Sequence, residues 1–199
     1  RFAAARGMRF SMHPDQFTLL NSPNEEVLTR SLRELAYHCD VLDLLGAGLD
    51  ARIQIHVGGV YGDKPAAIAR FIRRCENLDQ RLHDRLSVEN DDRLYTFGDC
   101  VRIYEQTGIP VIFDNLHHAV NCSGESTDDV FDALETMWVG MCGPPMTDYS
   151  DQAKGGRAGK HAEHIDARVF GDYLAATRGR DFDIMLEIKD KEHSAVAAL

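Results

Sequence analysis

No stretch of this chain approaches the roughly 20 consecutive apolar residues a membrane-spanning helix needs, and its first residues do not read as a signal peptide. Cysteine is scarce: Cys39, Cys75, Cys100, Cys122 and Cys142 are odd in number, far apart and without CxxC spacing. A disulfide framework is thereby excluded, and buried small apolar side chains plus spare thiols in a reducing cytoplasm are expected. No internal repeat, low-complexity tract or linker divides the 199 residues, so a single domain is predicted, burying roughly two-thirds of its unfolded surface. Positive charge is also short, with 22 Lys and Arg against 32 Asp and Glu and a net charge of −10. On its face this disfavours a nucleic-acid partner, although carboxylates that hold divalent cations reverse the local field. The remaining composition, 44% hydrophobic and 27% charged, is that of an ordinary globular protein. The chain opens on Arg1 rather than Met, as a trimmed or fragmentary start would.

What is present is a rhythm of short apolar run, polar loop and amphipathic stretch. Strands are predicted at Met8–Met12, Arg52–His56, Leu86–Glu89, Val111–Asp114, Pro145–Tyr149 and Asp183–Glu187. Several lack alternation, as strands buried on both faces of a parallel sheet do. Helices are predicted at Glu25–Leu45, Lys64–Asn77, Thr96–Thr107, Ser126–Trp138 and Asp166–Arg178, with a last one after Lys191. Right-handed βαβ units follow, and with them an α/β fold. A TIM (β/α) barrel needs eight units and typically ~250 residues. The expectation is therefore one barrel domain over residues 1–199, N-terminally incomplete by about two βα units. A doubly wound sheet is the alternative, but no glycine-rich phosphate loop follows the first strand.

The ionisable residues fall in a telling place. The first strand runs into His13 and the second ends in His56. The third ends in Glu89, the fourth in Asp114 with His117 close behind, the fifth reaches Asp148, and the sixth ends in Glu187. In a parallel barrel these C-terminal tips converge on the face that carries active sites. Buried together without cations, such carboxylates would repel one another and raise their own pKa values. Carboxylate plus imidazole suits Mn²⁺, Zn²⁺ or Fe²⁺, so the set reads as a metal centre. No Ser-His-Asp or Cys-His signature stands out, which fits hydrolysis by a metal-activated water rather than a side-chain nucleophile. The Arg70–Arg85 cluster reads as a solvated helix face.

The motifs SMHPDQFTLLNSP, HVGGVYGDK, SVENDD, FDNLHH, GKHAEHID and MLEIKDKE, in this order from Ser11 to Glu192, resemble those of the UV damage endonucleases. The resemblance implies a xylose-isomerase-like barrel with two or three divalent ions, manganese first and zinc or iron as alternatives. It also implies a nick on the 5′ side of ultraviolet photoproducts and related lesions in double-stranded DNA. It places His13, His56, Glu89, Asp114, His117, His161 and Glu187 on ligand positions, with Glu89 bridging two ions and Glu89, Glu187 and His161 catalytic. Gln16 and Phe17 match a glutamine–aromatic pair that probes the duplex opposite the lesion. The fifth strand departs from the family's lysine-x-histidine, offering Met146 and Asp148 instead. Asp148 suits a hard metal and Met146 does not, so a third ion is in doubt.

For phosphate contact the candidates are Tyr61, Lys64, Lys154, Arg157 and Lys160 in glycine-containing loops, while Asn90 and Asn115, adjacent to ligands, are candidates for outer partners of those ligands or for phosphate donors. The lesion, poorly stacked, would cost less to extrude than a normal base. The chain is expected to be a monomer without a membrane partner, although an incomplete barrel can self-associate through its edges. The alternatives are an abasic-site endonuclease, a sugar isomerase-type enzyme on the same barrel, or a barrel remnant without catalysis.

Overall fold

The computed structural model describes residues 2–199. Its elements in chain order are β1 (Ser11–Met12), α1 (Glu25–Leu44), β2 (Arg52–His56), α2 (Lys64–Cys75), α3 (Gln80–Arg85), β3 (Leu86–Glu89) and α4 (Phe97–Thr107). There follow β4 (Val111–Asp114), α5 (Asn115–Val120), α6 (Thr127–Met137), β5 (Met146–Tyr149), α7 (Ala167–Ala176), β6 (Asp183–Leu186) and α8 (Glu192–Ala197). The six strands lie side by side in sequence order, all parallel, with β1 and β6 at the edges. This is a curled (β/α) barrel that has not closed. Because every strand runs the same way, every strand tip faces one end.

Strands β2 to β5 are buried along their length, and their outward residues pack with the inner faces of the helices into one core that includes Leu35, Ile53, Ile55, Phe71, Val88, Ile103, Val111, Phe131 and Leu134. A smaller cluster of Tyr149, Phe170 and Ile188 seats α7 against β5 and the segment after β6. Helix starts are secured locally. Asn24, Asp63 and Asp166 accept from first-turn amides, and Thr96–Asp99 and Ser126–Asp129 form reciprocal capping boxes. No helix among the described residues is long and apolar enough to cross a membrane.

The structure corrects three expectations. Strand β1 is only Ser11–Met12, since Met8–Phe10 precede its pairing with β2. Two short helices, α3 and α5, were not anticipated; each begins at an aspartate, Asp79 or Asp114, whose carboxylate accepts a backbone N–H. The Arg70–Arg85 stretch is a solvated face only in part, at Arg73 and Arg81. Arg85 is buried and donates to Gly48 O, Ala47 O and Asp43, while Arg74 donates to Leu20 O and Ser22 O and pairs with Glu25. Guanidinium groups here satisfy loop carbonyls that no strand or helix reaches.

Candidate metal centre

Period-two alternation sends Gln54 and His56 of β2 to the barrel interior while Ile53 and Ile55 join the core between sheet and helices. The same rule brings Glu89 from β3 and Asp148 from β5 inward. Glu89 is fully buried at the centre. His13 Nε2 lies 2.9 Å and His56 Nε2 3.7 Å from Glu89 Oε2, and His117 Nδ1 lies 3.1 Å from Oε1. Successive imidazoles sit side by side round the mouth, with centroids 5.2 Å apart for His13–His56, 5.6 Å for His56–His117 and 5.9 Å for His117–His161.

Three of these rings are tied off behind. His13 Nδ1 bonds to Pro14 O at 2.8 Å, His117 Nδ1 to Asn90 O at 2.9 Å, and His161 Nδ1 to Glu187 O at 2.7 Å. In the neutral ring, a carbonyl on Nδ1 makes that nitrogen the donor and leaves Nε2 a lone pair, the tautomer a metal ligand requires. Donor atoms lie within 4.8 Å of one another in three sets: His13–His56–Glu89, Asp114–His117–His161 and Glu89–Asp114–Asp148. Glu89 and Asp114 each belong to two sets, so they join the groups. Glu89 Oε1, Asp114 Oδ2 and Asp148 Oδ1 are buried without a hydrogen-bond partner. Three orphaned carboxylate oxygens at one point are costly unless a cation meets them.

The electrostatics agree. Burial raises the Glu89 carboxyl, but His56, His117 and His13 outweigh it and hold it well below the usual carboxylate range. Asp114 is pushed up to about 8 by burial, against His117 and with Glu89 adding to the rise. Asp148 is driven well above its ordinary value by burial and then by Glu89, Glu187 and Asp114. Burial and Glu89 also raise Glu187. Burial opposes the charged forms of His13 and His117, yet Glu89 prevails and lifts them to about 9 and about 10. Without cations, protons hold this cluster together.

The family comparison matches the UV-endonuclease UvdE model to residues 1–199. The chain belongs to the UvdE family. It is 36% identical over 196 residues to the UV DNA damage endonuclease of Clostridium perfringens, covering 96% of this chain and 47% of that protein. With the enzyme of the same name from Bacillus velezensis it shares 34% identity over 190 residues, covering 94% of this chain and 59% of the other. The chain thus spans about half the length of the curated relatives it matches. The crystal structure of SacUVDE superposes with a TM-score of 0.92 at 43% identity, over 99% of this chain and 66% of that one. A 3-keto-D-glucoside 4-epimerase from E. coli, at 13% identity and TM-score 0.60, shares the barrel fold alone.

On this UvdE scaffold the remaining sequence-predicted residues divide. Glu187 lies just past β6, its Oε2 3.7 Å from His161 Nδ1. Gln16 and Phe17 stand exposed on the loop after β1, Phe17 with 70% of its surface open, so it is no core aromatic. Tyr61, in the left-handed region at φ 50°, is exposed on the next loop, its ring under the Arg70 guanidinium. Lys160 and Lys154 are exposed on the β5–α7 loop, where Arg157 pairs with Asp92 at 2.9 Å. Asn115 accepts the Ser150 N–H at 2.9 Å.

Lys64 is not a free cation, because its ammonium lies 2.5 Å from Asp99 and over the Tyr95 ring. Of its two expected roles, Asn90 fits the outer partner of a ligand rather than the phosphate donor. It is wholly buried and exchanges two 3.0 Å hydrogen bonds with the Asp114 backbone, clamping β3 to β4. Met146 is buried in the core, whereas Asp148 reaches the carboxylates.

Sequence reading missed Gln54. Its amide donates to Glu89 Oε2 at 2.9 Å and to Asp148 Oδ2, spanning two of the three buried acids. The available signal was the alternation of RIQIH, which puts Gln54 two before His56 and so on the same face. It also missed Asn21, whose amide donates to Gly59 O at 2.8 Å and joins the loops bearing Phe17 and Tyr61.

Proposed function

We propose that this chain carries the cation-binding centre of an endonuclease that nicks double-stranded DNA 5′ to ultraviolet photoproducts and related lesions. The observation that carries this reading is the ring of four imidazoles, three of them with Nδ1 tied to carbonyls, around buried carboxylates whose outer oxygens have no partner. His13, His56, Glu89, Asp114, His117, Asp148, His161 and Glu187 would hold two or three divalent ions, manganese first as the family resemblance implies, with zinc or iron as alternatives that the same ligands suit. When bound, such ions supply Lewis-acid polarisation of a phosphodiester and activation of water.

The chain's own residues do the rest. Glu89, charged and shared between two donor sets, would set the spacing of the cations, with Gln54 fixing its carboxylate plane. Asp114, Asp148 and Glu187 would give up their protons on loading. His161 and Glu187, at the rim and partly open, would face the scissile phosphate. Phe17 and Gln16 would fill the gap left by an extruded lesion, by stacking and hydrogen bonding. Tyr61, Asn115, Arg157 and Lys160 surround that face and would meet the backbone. Their loops are braced against one another through Asn21–Gly59 and Arg157–Asp92.

The test uses end-labelled duplex containing one pyrimidine dimer, with and without Mn²⁺, beside Glu89→Gln. A Mn²⁺-dependent nick directly 5′ to the dimer, absent in Glu89→Gln, is expected. Cleavage that ignores the metal, or survives the substitution, overturns the reading.

A further inference from the structure

Outside the carboxylate centre, one other group of ligating side chains converges: His118, Cys122 and Glu125, with donor atoms within 4.8 Å of one another. His118 lies on α5 and the other two on the turn into α6, at spacings of four and three residues. The His118 ring is wedged edge-on against Phe113 and Phe97, at centroid distances of 5.2 and 6.4 Å. Its Nε2 is 3.4 Å from Cys122 Sγ, and Sγ is 3.8 Å from Glu125 Oε2. A tetrahedral ion with bonds of about 2.3 Å to sulfur and about 2.0 Å to nitrogen or oxygen sets those edges near 3.5 Å.

The surroundings hold the three in place. Ser123 Oγ donates to Glu125 Oε1 at 2.8 Å, leaving Oε2 toward the thiol. The Gly124 N–H points at Sγ from 3.1 Å and helps fix the position of the sulfur. Gly124 needs to be glycine, with φ at 111°. Gly98 of α4 presses on the same turn, where an added Cβ would meet Glu125 Oε1 at 2.8 Å. His118 Nε2 also lies 3.2 Å from the Glu125 carbonyl oxygen, a contact that ligation would replace. Cys122 is exposed, so a solvent water can complete four-coordination.

We infer that His118, Cys122 and Glu125 form a second cation site for a borderline-soft divalent ion, zinc by chemical class, distinct from the hard carboxylate centre. Thiolate selects zinc over manganese, so the two sites sort metals by ligand softness. Binding releases the Cys122 proton to solvent and joins sulfur, imidazole and carboxylate to one ion. Because His118 follows His117 on the same short helix, the ion would also pin the element that presents a ligand to the first centre.

Cobalt(II) is the probe, since only a thiolate ligand gives the near-ultraviolet sulfur-to-cobalt charge-transfer band, and the carboxylate centre has no thiol. Chelator-stripped chain titrated with Co²⁺ is expected to develop that band, whatever share of the ion the carboxylate centre also takes up, and Zn²⁺ is expected to bleach it. Cys122→Ser should abolish the band while keeping the far-ultraviolet circular dichroism of the intact chain. Cys142→Ser, removing the other exposed thiol, should leave the band unchanged. Absence of the band in the intact chain, or its survival in Cys122→Ser, overturns the site.

Discussion

At the scale of single residues, the centre depends on groups that do not themselves reach a substrate. Gln54 is the clearest, because one amide holds the planes of Glu89 and Asp148 together. Gln54→Leu keeps the volume and removes the donor. Mn²⁺ affinity by calorimetry is expected to fall about 10–100-fold, the usual cost of losing an outer partner of a ligand. Retained affinity would leave Gln54 a packing residue only. Phe17 is the opposite case, exposed and without a role in the core. Phe17→Ala should leave urea stability within about 0.5 kcal/mol. Binding to dimer-containing duplex should weaken by roughly 1–3 kcal/mol, the value of one stacked base, and anisotropy titration reads the difference.

At the scale of elements, the proposed DNA contacts lie on loops, and caps and glycines fix the loops. Gly58 follows β2 at φ 111°, and a Cβ there would lie 2.4 Å from Asn21 Oδ1. Gly58→Ala therefore strains the backbone and pushes apart the loops that bear Phe17 and Tyr61. Thermal melts should show a loss of roughly 1–3 kcal/mol. Thr96→Ala, which opens the capping box of α4 on the outer layer, should cost a comparable 0.5–2 kcal/mol by the usual range for a lost cap. The two differ in reach: damaged-DNA binding per folded molecule should drop only for Gly58→Ala. Equal binding by both variants would mean the loop junction does not position the DNA face.

For the whole molecule, charge and protons set the conditions of stability. Asp114 rises from 3.8 to about 8 on folding, so its burial costs nothing at low pH and increasingly destabilises the metal-free chain between those values. His13 and His117, lifted from 6.5 to about 9 and about 10, contribute stability that is full below pH 6.5 and lost as pH rises through their folded values. Both trends point the same way. Urea midpoints with chelator should fall steadily from pH 5 to pH 9, and saturating Mn²⁺ should flatten or reverse the slope, since cations replace the lost protons. Asp148→Asn should flatten the metal-free slope and weaken metal binding together. A pH-independent midpoint without metal would remove the buried carboxylates from the account.

Much of this was legible in the chain itself. The short runs Arg52–His56, Leu86–Glu89 and Val111–Asp114 marked strands to the residue, because the aliphatic side chains in each suit a strand buried on both faces. A ligand-type residue at each tip, once the strands are parallel, had to converge with the others. What the sequence by itself left open was whatever depends on contacts distant along the chain. Arg85 read as surface, and Asn90 as a ligand's outer partner or a phosphate donor; both proved buried, because their partners, Asp43 and the Asp114 backbone, lie 42 and 24 residues away. Gln54 gained its importance only when Asp148, 94 residues later, came within reach of the same amide. Local pattern determined which residues could be ligands. Tertiary structure decided which oxygens were left without partners, since desolvation and pairing exist only after the strands have curled together.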